Sequence, residues 1–171
     1  MPRQVAPAAA KRVDPALARR IAGRVSTGAS SGICELSGLR IDTMAAAQAA
    51  AHELRATYSQ CRSAPGGGQA SITALSADGC SLTTSGAVCL VEWVVGQTSL
   101  TELSLADNPN IGDEGVEAVA HAVGALPVLS TLWLGSTGMQ LAGSRALAEA
   151  IGLTSSLTVL RSAPSSCTVF Q

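Results

Sequence analysis

The chain repeats itself at a regular interval. The pattern Leu/Ile-x-x-Leu begins four times, at Ile72, Leu100, Leu129 and Leu157, and in the first three copies the sixth residue is Leu or Ala. These starts lie 28, 29 and 28 residues apart, and a glycine follows about fourteen residues into each full copy, at Gly86, Gly115 and Gly143. A period of this length predicts a stack of similar units, because one such unit cannot bury its own apolar face and needs its neighbours to cover it.

Each unit divides into a strand half and a helix half. In the strand half, the first, fourth and sixth residues are predicted to point inward: Leu100, Leu103 and Leu105 in one unit, Leu129, Leu132 and Leu134 in the next. After the glycine come apolar pairs four residues apart, which share one face of a helix: Leu90 and Val94, Val119 and Val123, Leu147 and Ile151. The sequence therefore predicts an α/β fold in which strands and helices alternate.

The repeats resemble those of leucine-rich repeat proteins, in particular the ribonuclease-inhibitor-like subtype. The resemblance covers about residues 72–162 and depends on the L-x-x-L-x-L signature, on Asn108 at the expected asparagine position, and on the segment "IGDEGVEAVAHAV". Cys80 holds the asparagine position in the first copy, which the general pattern tolerates. Thr137 holds it in the third, which weakens the turn there.

This resemblance implies a short horseshoe-shaped solenoid with parallel strands on the concave face and helices on the convex face. It also implies a structural role for Asn108, whose side chain would bond backbone groups left between stacked turns. The three glycines Gly86, Gly115 and Gly143 are expected to be structural as well.

Residues 33–63 are expected to form a degenerate or capping repeat. Leu36, Leu39 and Ile41 would be its strand, and Asp42 or Thr43 would cap the alanine-rich helix that follows. A helical cap unrelated to the repeats is the alternative. The glycine-rich segment 64–71 then explains why the distance to Ile72 is longer than one repeat, and it is expected to be a flexible loop.

The two ends of the sequence differ from the repeats. Residues 1–32 are basic and rich in Ala and Pro; residues 1–30 carry a net charge of +5, against −6 over the rest. We expect them to be poorly ordered or loosely helical, with a mitochondrial transit peptide as the minor alternative to a cytoplasmic protein. The fourth repeat lacks its helix and is followed by a truncated tail, 163–171. A longer array or a partner is expected to cover this uncapped end.

Composition and residue spacing argue against several classes of function. The net charge of −1 argues against nucleic-acid or anionic-membrane binding, and no apolar run is long enough to cross a membrane. The five cysteines show no metal-ligand spacing. In the acidic segment that follows Asp107, no register fits a calcium loop. Asp113 and Glu114 are instead expected to begin a helix, where carboxylates favour the positive end of the helix dipole. With two histidines placed on helices, we predict no catalytic site, no metal and no cofactor.

Outward-facing strand positions are the remaining candidate for function. Alternate residues of the strands face away from the helices, and this row includes one of the two tryptophans, Trp133, beside Arg161, which could stack on the indole. The candidate partner contacts are Glu102, Ser104, Asp107, Trp133, Ser136 and Arg161. The sequence thus predicts a non-catalytic protein-binding module. The alternatives are a GTPase regulator of the Ran GTPase-activating type, or a fragment of a larger NOD-like receptor.

Overall fold

A computed structural model of the chain describes residues 13–61, 71–154 and 156–162. Residues 1–12 of the basic segment, the glycine-rich segment apart from Ser71, and the tail 163–171 lie outside the described residues. The expectations for those segments therefore stay predictions.

Strands and helices alternate through the described residues. The strands are β1 (Ile33–Glu35), β2 (Ala74–Ser76), β3 (Glu102–Ser104), β4 (Thr131–Trp133) and β5 (Val159–Arg161). The helices are α1 (Pro15–Ser31), α2 (Met44–Cys61), α3 (Thr84–Val94), α4 (Gly112–Ala125) and α5 (Leu141–Gly152). None of these helices is both long enough and apolar enough to cross a membrane.

The five strands form one parallel sheet in sequence order, β1-β2-β3-β4-β5. Equivalent residues pair side by side: Leu75 with Leu103, Leu103 with Leu132, and Leu132 with Leu160. Their separations in sequence equal the intervals between the starts of the repeats. Parallel neighbours require a crossover connection, and consecutive helices pack against one another, from α1 through α5. The predicted alternation of strands and helices in a solenoid is confirmed.

The core lies between the sheet and the helices. Leu100, Leu103 and Leu105 are at most 1% exposed, and the equivalent Leu129, Leu132 and Leu134 are fully buried. Burying one leucine side chain contributes about 2 kcal/mol. This row of leucines is therefore a main source of stability, and its predicted inward orientation is confirmed.

The first strand begins earlier than the sequence predicts. β1 is Ile33–Glu35, in which Cys34 pairs with Leu75, so the prediction of a strand on Leu36, Leu39 and Ile41 is wrong. Those three side chains are fully buried in the turn after β1. The error has a simple cause, because the unit that begins at Ile72 has a spacing of three and then two both in its strand (72, 75, 77) and in its turn (77, 80, 82).

A strand, a turn and a helix nevertheless make up residues 33–61, as in the later units. The backbone N–H of Ile41 donates to the carbonyl of Cys80, which aligns the two turns. The hydroxyl of Thr43 accepts from the N–H of Ala46 at 3.2 Å and caps α2. Of the two candidate caps, Asp42 and Thr43, the threonine makes this bond.

The described part of the N-terminal segment is a regular helix, which corrects the expectation of a poorly ordered or loosely helical segment. The Asp14 carboxylate accepts from the N–H of Ala16 at 2.9 Å, next to Pro15 at the first helical position. Ile21 and Val25 are fully buried, and the helix packs on β1 and α2. The buried stripe of this helix is narrow, with Ile21, Val25 and Gly28, which explains why the sequence alone does not predict a packed helix here.

The last strand is less covered than the others. Leu160 is 39% exposed, whereas Leu75, Leu103 and Leu132, which hold the same position in β2–β4, are at most 1% exposed. Val159 beside it is 40% exposed. The described residues therefore leave apolar surface on β5.

Candidate functional site

The candidate site lies on what we call the strand face, formed by the side chains of β1–β5 and of the turns just after them that point away from the helices. Within β3–β5, Glu102, Val159 and Arg161 are exposed, whereas Thr131 and Trp133 are half-buried. The sheet brings these side chains together because their strands are adjacent and in register. Their predicted outward orientation agrees with this exposure.

Arg161 lies over the indole of Trp133. Its guanidinium carbon is 4.7 Å from the ring centroid, within the distance at which a cation is attracted to an aromatic face. The two residues are paired directly across β4 and β5, so the backbone register places one on the other. The predicted stacking of this pair is confirmed.

Asp78 organises the neighbouring part of the strand face. One carboxylate oxygen, Oδ1, accepts from the Ser104 hydroxyl at 2.5 Å and from the Ala106 N–H at 2.9 Å. The other, Oδ2, accepts from the Ser76 hydroxyl at 3.0 Å. Ser37 extends the chain of hydroxyl groups through a 2.7 Å bond to Ser76. The network around this carboxylate therefore ties three successive units together.

Ser104 does not fit its predicted role as a partner contact. It is only 6% exposed, and its hydroxyl is held by Asp78. The sequence pattern places Ser104 on the outward side of β3 but does not show that an acid from the preceding unit covers it. A signal was present, since Asp78 comes shortly after β2 and precedes Ser104 by slightly less than one repeat.

The Asp78 network yields a stability prediction. Replacing Asp78 with Ala leaves the Ala106 N–H and the buried Ser104 hydroxyl without their acceptor, which we expect to lower the free energy of unfolding by about 3 kcal/mol. Urea denaturation measures this change. The matched control is Asp42→Ala. Among the described residues Asp42 pairs with the exposed Arg40, and its replacement should cost less than about 0.5 kcal/mol. Equal effects of the two changes would show that the network contributes nothing.

Two further candidate contacts lie in the turns after β3 and β4. Asp107 is exposed and Ser136 is half-buried, and both have a left-handed backbone, with φ of 55°. The Asp107 N–H donates to the carbonyl of Gly135 at 2.8 Å, which joins the two turns. Both side chains therefore border the strand face at the ends of their strands.

Asn108 holds the turn between units as the resemblance implies. It is fully buried, and its side-chain amide donates to the carbonyls of Ala77, Leu105 and Ala106, each at 2.9 Å. Its side-chain oxygen accepts from the N–H of Leu82 at 3.0 Å. The two amide N–H groups are shared among the three carbonyls, so one side chain contacts four backbone groups from two adjacent units.

The residues equivalent to Asn108 make fewer such bonds. The Cys80 thiol donates to the carbonyl of Leu36 at 3.1 Å, and the Thr137 hydroxyl donates to the carbonyl of Leu134 at 2.9 Å. Burial raises the pKa of the Cys80 thiol to about 11 and that of the Cys34 thiol to about 12. Both thiols are therefore protonated at neutral pH, and the protonated form of Cys80 is the one that can donate.

The three glycines that recur in the repeats lie at the helix starts, where each meets the unit before it. A Cβ atom on Gly115 would lie 2.5 Å from a methyl carbon of Ile111, and one on Gly143 would lie 2.8 Å from the Asp113 carboxylate. At Gly86 the nearest atom would be 3.4 Å away, an ordinary contact. Close packing therefore requires glycine at 115 and 143 more strictly than at 86.

The acidic segment after β3 joins two units. The Asp113 carboxylate accepts from the backbone N–H of Gln140, in the next unit, at 2.6 Å, and both Asp113 and Glu114 lie in the first turn of α4. Across the described residues, no three His, Cys, Asp or Glu side chains come together as metal ligands would. His52 and His121 are both exposed on helices.

Parallel strands in sequence order, each joined to the next through a helix and a turn of regular length, fit an α/β solenoid of the leucine-rich repeat kind. The sequence model of the family described as Leucine Rich repeat matches residues 96–120. This stretch includes β3, the Asn108 turn and the first part of α4, so the family match and the fold agree on the same unit. A search of curated proteins finds no match to the chain.

Proposed function

We propose that the chain is a non-catalytic module that binds a protein partner through the strand face, the concave side of a repeat array of the ribonuclease-inhibitor-like subtype. Leucine-rich repeats generally mediate protein–protein interaction, and solenoids present extended concave surfaces for it. The observation that carries the proposal is that Glu102 on β3, Trp133 on β4 and Arg161 on β5 lie on the same face of three adjacent strands. Aromatic and arginine side chains are the residues most often found as interface anchors.

The remaining candidate contacts lie close to these three residues. Asp107 and Ser136 lie in the turns just after β3 and β4. Ser104 is buried and hydrogen-bonded to Asp78, so we no longer propose it as a direct contact. We also propose a cytoplasmic location, supported by the free thiols of Cys34, Cys80 and Cys89.

A comparison of the two faces tests the proposal. A partner is captured with the full chain and identified, and its dissociation constant is then measured for Trp133→Ala, Glu102→Arg and the helix-side control Arg145→Ala. Arg145 pairs with Glu149 on the exposed side of α5, away from the sheet. We expect each strand-face change to weaken binding at least tenfold, because truncating an interface anchor typically costs about 1–2 kcal/mol or more.

The control variant should bind within about twofold of the unaltered chain, and all three variants should keep its melting temperature to within a few degrees. Binding that depends on Arg145 and not on Trp133 or Glu102 would place the interface on the helix side and refute the proposal.

A further inference from the structure

We propose that Arg161, stacked on Trp133, forms a carboxylate-binding site that receives an aspartate or glutamate side chain of the partner. This inference rests on the proposed function, since it names the chemistry of the partner at the same face. A guanidinium group carries five N–H donors in one plane. Stacking on an indole occupies one face of that plane and leaves the donors at its edge available to a carboxylate, which they fit in a bidentate manner.

In the part of the chain that the structure describes, no Asp or Glu side chain forms an ion pair with Arg161. The ion pairs found there join Arg40 to Asp42 and Arg145 to Glu149. In the sheet, Arg161 takes part through its backbone, where its carbonyl accepts from the Leu134 N–H. Among the described residues, its side chain is held by the cation–π contact alone.

The stack also prepares the guanidinium for binding. The register of β4 and β5 fixes both Cα positions, and the Trp133 ring is half-buried, with its Nε1 atom inaccessible and without an acceptor in the described residues. The ring is therefore positioned by packing rather than by a hydrogen bond. An arginine already ordered on such a surface loses less conformational entropy when a ligand binds.

The neighbouring charge restricts which acidic segment fits. Glu102 is exposed on β3, two strands from Arg161 and two positions earlier in its strand. Strand spacing and residue rise place their Cα atoms about 12 Å apart. An extended peptide covers that distance in three to four residues. The favoured ligand is therefore a segment with a carboxylate and a basic side chain three or four residues apart, and a uniformly acidic segment would be repelled by Glu102.

A peptide titration tests the site on the full chain. The probe is the blocked peptide acetyl-Glu-Gly-Ser-Gly-Lys-amide, and its matched control has Gln in place of Glu. The indole N–H signals of ¹⁵N-labelled protein are followed by NMR. Trp93 is 4% exposed and serves as the internal reference, and Trp133→Phe assigns the Trp133 signal.

We expect the Trp133 signal to shift saturably as the Glu peptide is added. The Gln peptide should bind at least tenfold more weakly, because it forms a neutral hydrogen bond in place of a charge-assisted one. Arg161→Gln should weaken binding of the Glu peptide at least tenfold. Arg161→Lys should bind with intermediate strength, since lysine keeps the charge but lacks the planar fork. Arg145→Gln is the arginine control and should leave the titration unchanged.

Equal shifts with the Glu and Gln peptides, or an unaltered titration in both Arg161 variants, would overturn the inference. A shift with inorganic phosphate but none with the Glu peptide would also overturn it. Partner binding that depends on Trp133 and Glu102 but not on Arg161 would refute the carboxylate site and leave the proposed function standing. Partner binding insensitive to all three residues would refute the proposed function itself.

Discussion

Replacing Asn108 with Ala is expected to lower the free energy of unfolding by about 4 kcal/mol, because a buried backbone group left without its hydrogen bond costs about 1–3 kcal/mol. The two amide N–H groups are shared among three carbonyls and the side-chain oxygen accepts from one N–H, all within 3.0 Å. The site is fully buried, so water does not replace the lost bonds without a change in structure. For a chain of this length, the melting temperature should fall by roughly 10 °C.

Two other variants make the Asn108 measurement specific. Asn110→Ala changes an exposed asparagine in the same turn and should cost less than about 0.5 kcal/mol. Asn108→Cys introduces the residue that the preceding unit has at this position, where the Cys80 thiol donates to one carbonyl at 3.1 Å. We expect it to fall between the other two. Thermal unfolding followed by circular dichroism gives all three values, and a cost for Asn108→Ala no larger than for Asn110→Ala would contradict the role assigned to the bonds.

The features that depend on spacing alone could be predicted from the sequence. The regular intervals between repeats fix which residues lie side by side in a parallel sheet, so the stacking of Arg161 on Trp133 follows from their equal positions in adjacent units. The resemblance to leucine-rich repeats implies the role of Asn108 in the turn, and the intervals place Cys80 and Thr137 at the equivalent positions. Periodic patterns report such features because every unit repeats the same backbone path.

Features that depend on one unit reaching into the next could not be predicted in the same way. Ser104 holds an outward position, but whether it is accessible depends on how far the Asp78 side chain extends from the unit before it. The predicted location of β1 was wrong for a related reason, because Leu36, Leu39 and Ile41 have the spacing of a strand as well as that of a turn. The pairing of Cys34 with Leu75 and the bond from the Ile41 N–H to the Cys80 carbonyl distinguish the two registers.

The conformation of Gly138 also depends on contact between two units, and Gly138→Ala is the other change with a large expected effect. Its φ is +72°, and an added Cβ atom would overlap the backbone carbonyl oxygen of Pro109, in the unit that begins at Leu100. Gly38 is the matched control, because its φ is also +72° and no atom lies within 4 Å of an added Cβ. Gly38→Ala should cost only the left-handed penalty of about 1–2 kcal/mol. Gly138→Ala should cost about 4 kcal/mol, since one of two packed backbones must also move. Urea denaturation of both variants measures the contribution of the contact with Pro109. Equal midpoints would show that the turn at Pro109 moves without a change in the free energy of unfolding.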